Sequence, residues 1–424
     1  MVDLIRKTDS YGVNVDFFEN LIAERLGGKQ FGKSTEIYKF EKIKRAKAEA
    51  RKNYPDIPII DMGVGEPDVP ADKIVVQTLA EEAGKAENRW YSDNGIPEFQ
   101  EAAADYLKKV YQLNGIDPKK HIIHGIGSKP ALAQLPICLI NPGDVTLATA
   151  PGYGVTSTYT RYLGGEVFNL PLLKENGFFP DLSAIPSDIL KRAKLLYINY
   201  PNNPTGQVAT REFFEEVVGF AKKNNIAVIQ DAAYAAITFD GYQPLSFLSV
   251  EGAMDVGIEV HSLSKAFNMT GWRLAFVVGN PKLVSAYGTV KDNTDSGQFR
   301  AIQKAGIKAL NSLKITKETC DKYSRRFDLL VSALKEIGFD VSKPKGTFYC
   351  YVNAPKGTKS GVIFEKAEEA STYFIKEAQI STVPWDDAGA FLRFSVTFDA
   401  SGYEEEKKVV DEMKARLSRL KLVF

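Results

Sequence analysis

One recurring alternation constrains this chain more than any other feature. From about residue 120, short apolar runs rich in β-branched residues alternate with stretches of helical spacing. His121–Ile126, Asp144–Ala150, Glu166–Leu170, Lys194–Tyr200, Ile226–Gln230, Glu259–Ser264 and Arg273–Gly279 read as strands. Between the fourth and fifth, Thr210 is a good N-cap and Glu212 sits in the first turn; Phe213, Phe214, Val217, Val218 and Ala221 then share one helix face. Apolar strands separated by helices predict an α/β fold with a mostly parallel, seven-stranded sheet between two helical layers.

The texture changes after Ser312. A long charged helix, Gly338–Val341, Gly346–Val352, a helix near Lys366–Glu377, Ile380–Pro384, Leu392–Thr397 and a closing helix over Tyr403–Leu420 read as a smaller α+β domain. Residues 1–55 are expected to join it. The division is then a large domain over 56–310 and a discontinuous small domain over 1–55 and 311–424. The charge run Glu41–Lys52, with Phe40, Ile43 and Ala46 at helical spacing, reads as an amphipathic helix with a solvated face.

Composition excludes several functions. The 424 residues carry 54 Lys+Arg against 53 Asp+Glu, a net charge of +1, which argues against a nucleic-acid partner. Cys138, Cys320 and Cys350 cannot build a disulfide framework, which favours a reducing, cytoplasmic setting. The first residues carry Asp3, Arg6 and Lys7 and no long apolar stretch, so no secretory signal is expected; no apolar run is long enough to cross a membrane. His121, His124 and His261 read as strand residues without ligand spacing, so no metal site is expected.

Ligands of open α/β sheets bind beyond the carboxyl ends of the strands. There the sequence places Gly127-Ser128-Lys129-Pro130, Pro201-Asn202-Asn203-Pro204-Thr205-Gly206, Asp231-Ala232-Ala233-Tyr234 and Ser264-Lys265. A carboxylate, a phenol, an amine and backbone donors at one edge suit pyridoxal phosphate. The Lys265 amine forms a Schiff base with the cofactor aldehyde. Asp231 keeps the ring nitrogen protonated, which makes the ring an electron sink. Asn203 and Tyr234 suit the ring hydroxyl, and Tyr153 suits a ring face. Gly127 and Ser128, with Ser262 and Arg273, offer phosphate donors. Gly63-Val64-Gly65 lacks the third glycine of a dinucleotide fingerprint, and Gly65 instead lets backbone approach a substrate.

The segments SLSKAFNMTGWR (Ser262–Arg273), YPNNPTG (Tyr200–Gly206), DAAY (Asp231–Tyr234), MGVGEPD (Met62–Asp68), Tyr91 and Arg393 in FLRFS together resemble the class I/II aminotransferases of fold type I, over roughly residues 35–420. The resemblance implies a homodimer with shared active sites. It implies Lys265, Asp231 and Tyr234 as catalytic residues. Gly127, Ser128, Lys129, Tyr153, Asn203, Ser262 and Arg273 would hold the cofactor, with Tyr91 from the other subunit, and Arg393 would bind the substrate α-carboxylate.

Phe31–Lys47, Ile126–Ala133, Lys291–Phe299 and Ser381–Gly389 are similar to the branch of this family that acts on LL-2,6-diaminopimelate. That implies exchange of an amino group with 2-oxoglutarate in lysine biosynthesis, the product cyclising to tetrahydrodipicolinate. In that branch Tyr38, Lys129 and a partner-subunit asparagine, matched by Asn293, handle the far end of the substrate. The branch often carries a glutamate shortly after the Tyr91 position, where this chain has Asp93 and Asn94. A transaminase for aspartate, alanine or an aromatic amino acid, or a pyridoxal-phosphate lyase, fits the same motifs.

Overall fold

The computed structural model describes residues 17–18, 20–33 and 39–424. Contacts divide the chain after Arg45 into two compact units. In the first, short 3-10 turns span Glu24–Leu26 and Gly28–Gln30. Tyr38 lies outside the described residues. All that follows concerns the second unit.

Its centre is a seven-stranded sheet of β1 (Ile122–Gly125), β2 (Val145–Ala150), β3 (Glu166–Pro171), β4 (Ala193–Asn199), β5 (Ala227–Asp231), β6 (Gly257–Ser262) and β7 (Ala275–Gly279), in the order β1-β7-β6-β5-β4-β2-β3. Only β7 runs against its neighbours. Both faces are covered. Leu195, Ile229 and Val260 pack with Leu132, Leu135 and Tyr287 on one side, while Leu196, Val228 and Phe276 belong to the core of Phe99, Phe213 and Phe214. Neighbouring residues thus face opposite cores, which is why the inner strands are largely apolar, whereas the edge strand β3 is mostly exposed or half-buried. The helix Arg211–Asn224 begins as the sequence predicts, with the Thr210 hydroxyl accepting the Phe213 N–H.

A three-stranded antiparallel sheet follows, built from β8 (Tyr349–Asn353), β9 (Val383–Trp385) and β10 (Phe391–Ser395), with β10 in the middle. Pro384 is tolerated because β9 is an edge strand. The segment Met62–Asp68 is laid beside this sheet: the Met62 N–H donates to Ser381 and the Met62 carbonyl accepts from Ser395. Its far end is moored by charge. Asp68 pairs with Lys322 at 2.7 Å and with the fully buried Arg326 at 3.0 Å. Arg326 also pairs with Glu406 and donates to the carbonyls of Val396, Phe398 and Ala400, so the buried cation is satisfied on every side.

Several boundaries differ from the sequence reading. His121 is not in a strand: it closes the helical turn Pro118–His121, and its Nδ1 accepts the Asp117 N–H at 3.0 Å. Gly338–Val341 forms no strand, because Gly338 at φ 117° ends the helix Leu313–Ile337 in a left-handed cap. Ile380–Pro384 is two elements, since Ile380–Ser381 pairs in parallel with Ile60–Asp61 while Val383 starts β9. Ser264 and Arg273 lie beyond the strands that the sequence predicts for them, and Arg273 sits at φ 56°.

Candidate active site

Each strand of the large sheet delivers its residues to one edge. Asp231 ends β5 and is 4% exposed. Its carboxylate accepts from the Tyr197 hydroxyl at 3.2 Å and the Ala233 N–H at 3.1 Å. Burial pushes its pKa up to about 6 despite these donors and the nearby His261 and Lys265. A sealed carboxylate of this kind calls for a cationic partner.

Lys265 lies in the turn Leu263–Ala266, which the Ser262 hydroxyl caps by accepting the Ser264 N–H. Its Nζ donates to the Gly65 carbonyl at 2.8 Å. Burial first, and then Arg273 and Arg393, bring its pKa down to about 8 against the pull of Glu66 and Asp231. The amine is therefore neutral far more often at mild pH than a surface lysine is.

Arg273 closes this edge against the loop after β1. Its Nη1 donates to the Thr270 carbonyl at 2.7 Å. The guanidinium presses so closely on Gly127, at φ +83°, that a Cβ there would lie 2.2 Å from Nη2. Ser128 and Lys129 follow at the start of the helix Ser128–Gln134, with Lys129 exposed. Gln298 holds the backbone. Its Nε2 donates to the carbonyls of Trp272 and Arg273 at 2.8 Å each, and its Oε1 meets His124 Nε2 at 2.9 Å.

Arg393 comes from β10 and is 3% exposed. Nη1 donates to Asn203 Oδ1 at 2.8 Å and Nη2 to the Gly63 carbonyl at 3.1 Å, while the buried Nε has no partner among the described residues. A Cβ on Gly65 would stand 3.7 Å from Arg393 Nη2. Asn203 is fixed in turn, its N–H donating to Asn199 Oδ1 at 2.9 Å. Tyr234 is buried, and its hydroxyl meets that of Tyr349 at 3.2 Å.

The structure thus brings Lys265, Gly65, Arg393, Asn203 and Tyr234 into one cluster, with Asp231 within electrostatic range of Lys265 and Gly127 against Arg273. Tyr153, at the start of the turn after β2, stands within electrostatic range of Tyr197. Tyr91 and Asn293 stand apart. Tyr91 is 77% exposed with its carbonyl accepting from Arg300, and Asn293 is an exposed helix cap bonded to the Thr289 carbonyl. Neither has a hydrogen bond to the cluster among the described residues. Asp93 and Asn94 are next to Tyr91, where the Asp93 carbonyl accepts from buried Lys291 and the Asn94 amide donates to Asp292.

Tyr197, Gln298 and Tyr349 do not stand out in the sequence. Tyr197 has one signal, a phenol inside the apolar run KLLYINY, since a buried phenol needs a partner. The roles of Gln298 and Tyr349 depend on contacts with distant segments, so no local spacing marks them.

The sequence profile of the family described as "Aminotransferase class I and II" matches residues 57–410. The LL-diaminopimelate aminotransferase of Methanocaldococcus jannaschii is 57% identical over 417 residues, covering 96% of this chain and 99% of that one. The protein of the same name from Methanococcus maripaludis is 55% identical over 413 residues, covering 96% and 99%. Among solved structures, substrate-bound BacF from Bacillus subtilis superposes with a TM-score of 0.83 at 34% identity, covering 92% of this chain and 97% of that one. The chain belongs to the class I and II aminotransferases.

Proposed function

We propose that this protein exchanges the amino group of LL-2,6-diaminopimelate with 2-oxoglutarate, using pyridoxal 5'-phosphate. The observation that carries the reading is the convergence of an amine with a lowered pKa, Lys265, and a buried guanidinium with an unpartnered Nε, Arg393, on the Gly65 backbone. The names of the Methanocaldococcus and Methanococcus relatives support the substrate.

The residues present fit the cofactor. Asp231 is a buried carboxylate with no cation bonded to it among the described residues, and Arg273 sets a guanidinium directly against the Gly127 backbone that leads into the helix Ser128–Gln134. Bound there, the cofactor supplies an aldehyde for the lysine and a ring that takes up electrons from the substrate Cα. Asp231 holds a proton on the ring nitrogen. Asn203, whose Oδ1 accepts from Arg393, would with Tyr234 hold the ring hydroxyl. Gly127, Ser128, Lys129, Ser262 and Arg273 would hold the phosphate, and Tyr153 would pack against the ring. With the cofactor in place, Lys265 would serve as the base that accepts the substrate Cα proton. Arg393 orients the α-carboxylate through a planar fork that an ammonium lacks.

The functional unit in this reading is a homodimer. Tyr91 and Asn293 are exposed and have no hydrogen bond to the cluster among the described residues, as groups lent to a partner's site would be. Tyr38 and Lys129 join the partner's Asn293 at the far end of the substrate. The large domain covers 56–310, and residues 1–55 and 311–424 form the small one. Three free cysteines support a cytoplasmic setting. Among the described residues no helix is long and apolar enough to cross a membrane.

Initial rates with LL-diaminopimelate, meso-diaminopimelate, aspartate, alanine and tyrosine, each with and without 2-oxoglutarate, test the reading. Turnover of the LL isomer dependent on 2-oxoglutarate is expected. No turnover of that isomer ends the substrate assignment, and ammonia release without a keto acid ends the transaminase assignment.

A further inference from the structure

We infer that Tyr349 is a positioning residue with two separable parts: its ring seats the Arg393 guanidinium, and its hydroxyl sets the orientation of Tyr234. The inference rests on the carboxylate-binding role given to Arg393 above. The Arg393 Cζ lies 4.0 Å from the centre of the Tyr349 ring. Arg393 is buried and has no carboxylate partner among the described residues; its Nη atoms donate to Asn203 and Gly63, and the Tyr349 ring face backs the guanidinium. In that seat the buried Nε has no acceptor among the described residues. The hydroxyl of the same residue meets the Tyr234 hydroxyl at 3.2 Å and lies 3.2 Å from where a Cβ on Gly65 would be. One side chain therefore touches the arginine, the phenol and the backbone that receives Lys265.

The chain holds Tyr349 in place by unusual means. Thr347, two residues earlier, is fully buried at φ 62°. A β-branched residue in the left-handed region is a genuine outlier and persists only where its surroundings over-determine it. Here they do. The Thr347 N–H donates to the Ile237 carbonyl at 2.9 Å, and its Oγ1 accepts the Tyr349 N–H at 3.2 Å as well as the Phe348 N–H. A Cβ on Gly346 would come within 2.9 Å of the Ile237 carbonyl and the Val208 side chain. A Cβ on Gly206, in the loop after Asn203, would come within 3.0 Å of the Tyr349 carbonyl. Phe348, between the two, turns its ring to Lys265 Nζ at 5.8 Å and to Tyr234 at 5.4 Å. The strained turn points consecutive aromatic rings at the lysine and at the arginine.

A purely structural Tyr349 would move folding and turnover together; two separable parts move different constants. The test compares Tyr349→Phe, Tyr349→Leu and Tyr349→Met with Arg393→Lys in the holoenzyme. It measures kcat and KM for both substrates and the inhibition constant of glutarate, a dicarboxylate without an amine. Loss of the ring in the Leu and Met variants is expected to raise KM and the glutarate constant by about 10-fold, with kcat within about 3-fold. Phenylalanine should restore both constants to within about 2-fold while lowering kcat by about 5-fold, since only the hydroxyl is gone. Met preserves side-chain volume, and the Phe arm stands alone if both ring-less variants fail to fold. Unchanged constants in Leu and Met, or failure of Phe to restore them, overturns the proposal. If Arg393→Lys itself leaves KM and the glutarate constant unchanged, the reading of Arg393 fails instead.

Discussion

The carboxyl edge of the seven-stranded sheet and the three-stranded sheet around Arg393 build their halves of the site in opposite ways. At the first edge each functional group follows its own strand within a few residues: Asp231 ends β5 and Lys265 stands three residues past β6. Local sequence is enough to place them. In the small sheet, Arg393 is aimed by cross-strand neighbours and by Met62–Asp68, more than 300 residues away in sequence. The difference teaches that one half of the site is assembled by motif and the other by pairing. In the proposed reading, the chemistry falls to the first half and carboxylate recognition to the second.

Substitutions sharpen that division. The largest effect belongs to Lys265→Ala, which is expected to lower kcat by about 10³-fold or more and to abolish the near-visible absorption band of the lysine-bound cofactor. Spectra and single-turnover rates check it, and retention of both would refute the assignment. Arg393→Lys should leave that band intact and raise KM for amino and keto acids by about 10- to 100-fold, or about 1.4–2.7 kcal/mol. A lost band in this variant would dissolve the boundary between the two halves.

Asp231→Asn tests the buried carboxylate through stability. Its pKa is raised in the folded protein to about 6, so its favourable contribution is full below the unfolded value and is lost as pH rises through 6. The apoprotein of Asp231→Asn should therefore be more stable than wild type at pH 7, by at most about 3 kcal/mol, the gap closing toward pH 4. The same variant should bind the cofactor more weakly. Urea unfolding of both apoproteins between pH 4 and 8 measures the gap, and a gap independent of pH would contradict the assignment. The smallest effect is one of profile. Reconstitution of apoprotein with pyridoxal phosphate should speed up as pH rises through about 8, where Lys265 loses its proton, not near 10.5.

Legibility in the sequence follows the same line. The inner strands are recoverable because two-sided burial makes them largely apolar, while the exposed edge strand Glu166–Pro171 shows only by its place in the alternation; Lys265, Asp231, Asn203 and Arg273 stand in compact motifs beside them. Strand ends are less legible: Arg273 reads as β-compatible, yet Gln298 fixes its backbone in the left-handed region from 25 residues away. Gly338–Val341 has strand-like composition but finds no partner, because the helix before it ends in a left-handed cap. Tyr349 is hidden for the reason that makes it informative: its neighbours Arg393, Tyr234 and Gly65 come from three separate stretches of chain.

The contact between Gly127 and Arg273 reaches beyond this one molecule. A methyl group at 127 would need the Arg273 guanidinium to swing aside, and the left-handed φ of +83° would still strain any side chain there. Alanine at 127 displaces the guanidinium at once, and a smaller residue at 273 leaves the glycine turn facing a gap. The two positions are therefore coupled, each residue being chosen in the presence of the other. For anyone recombining segments of related enzymes, the stretches 122–134 and 262–279 should be exchanged as one cassette.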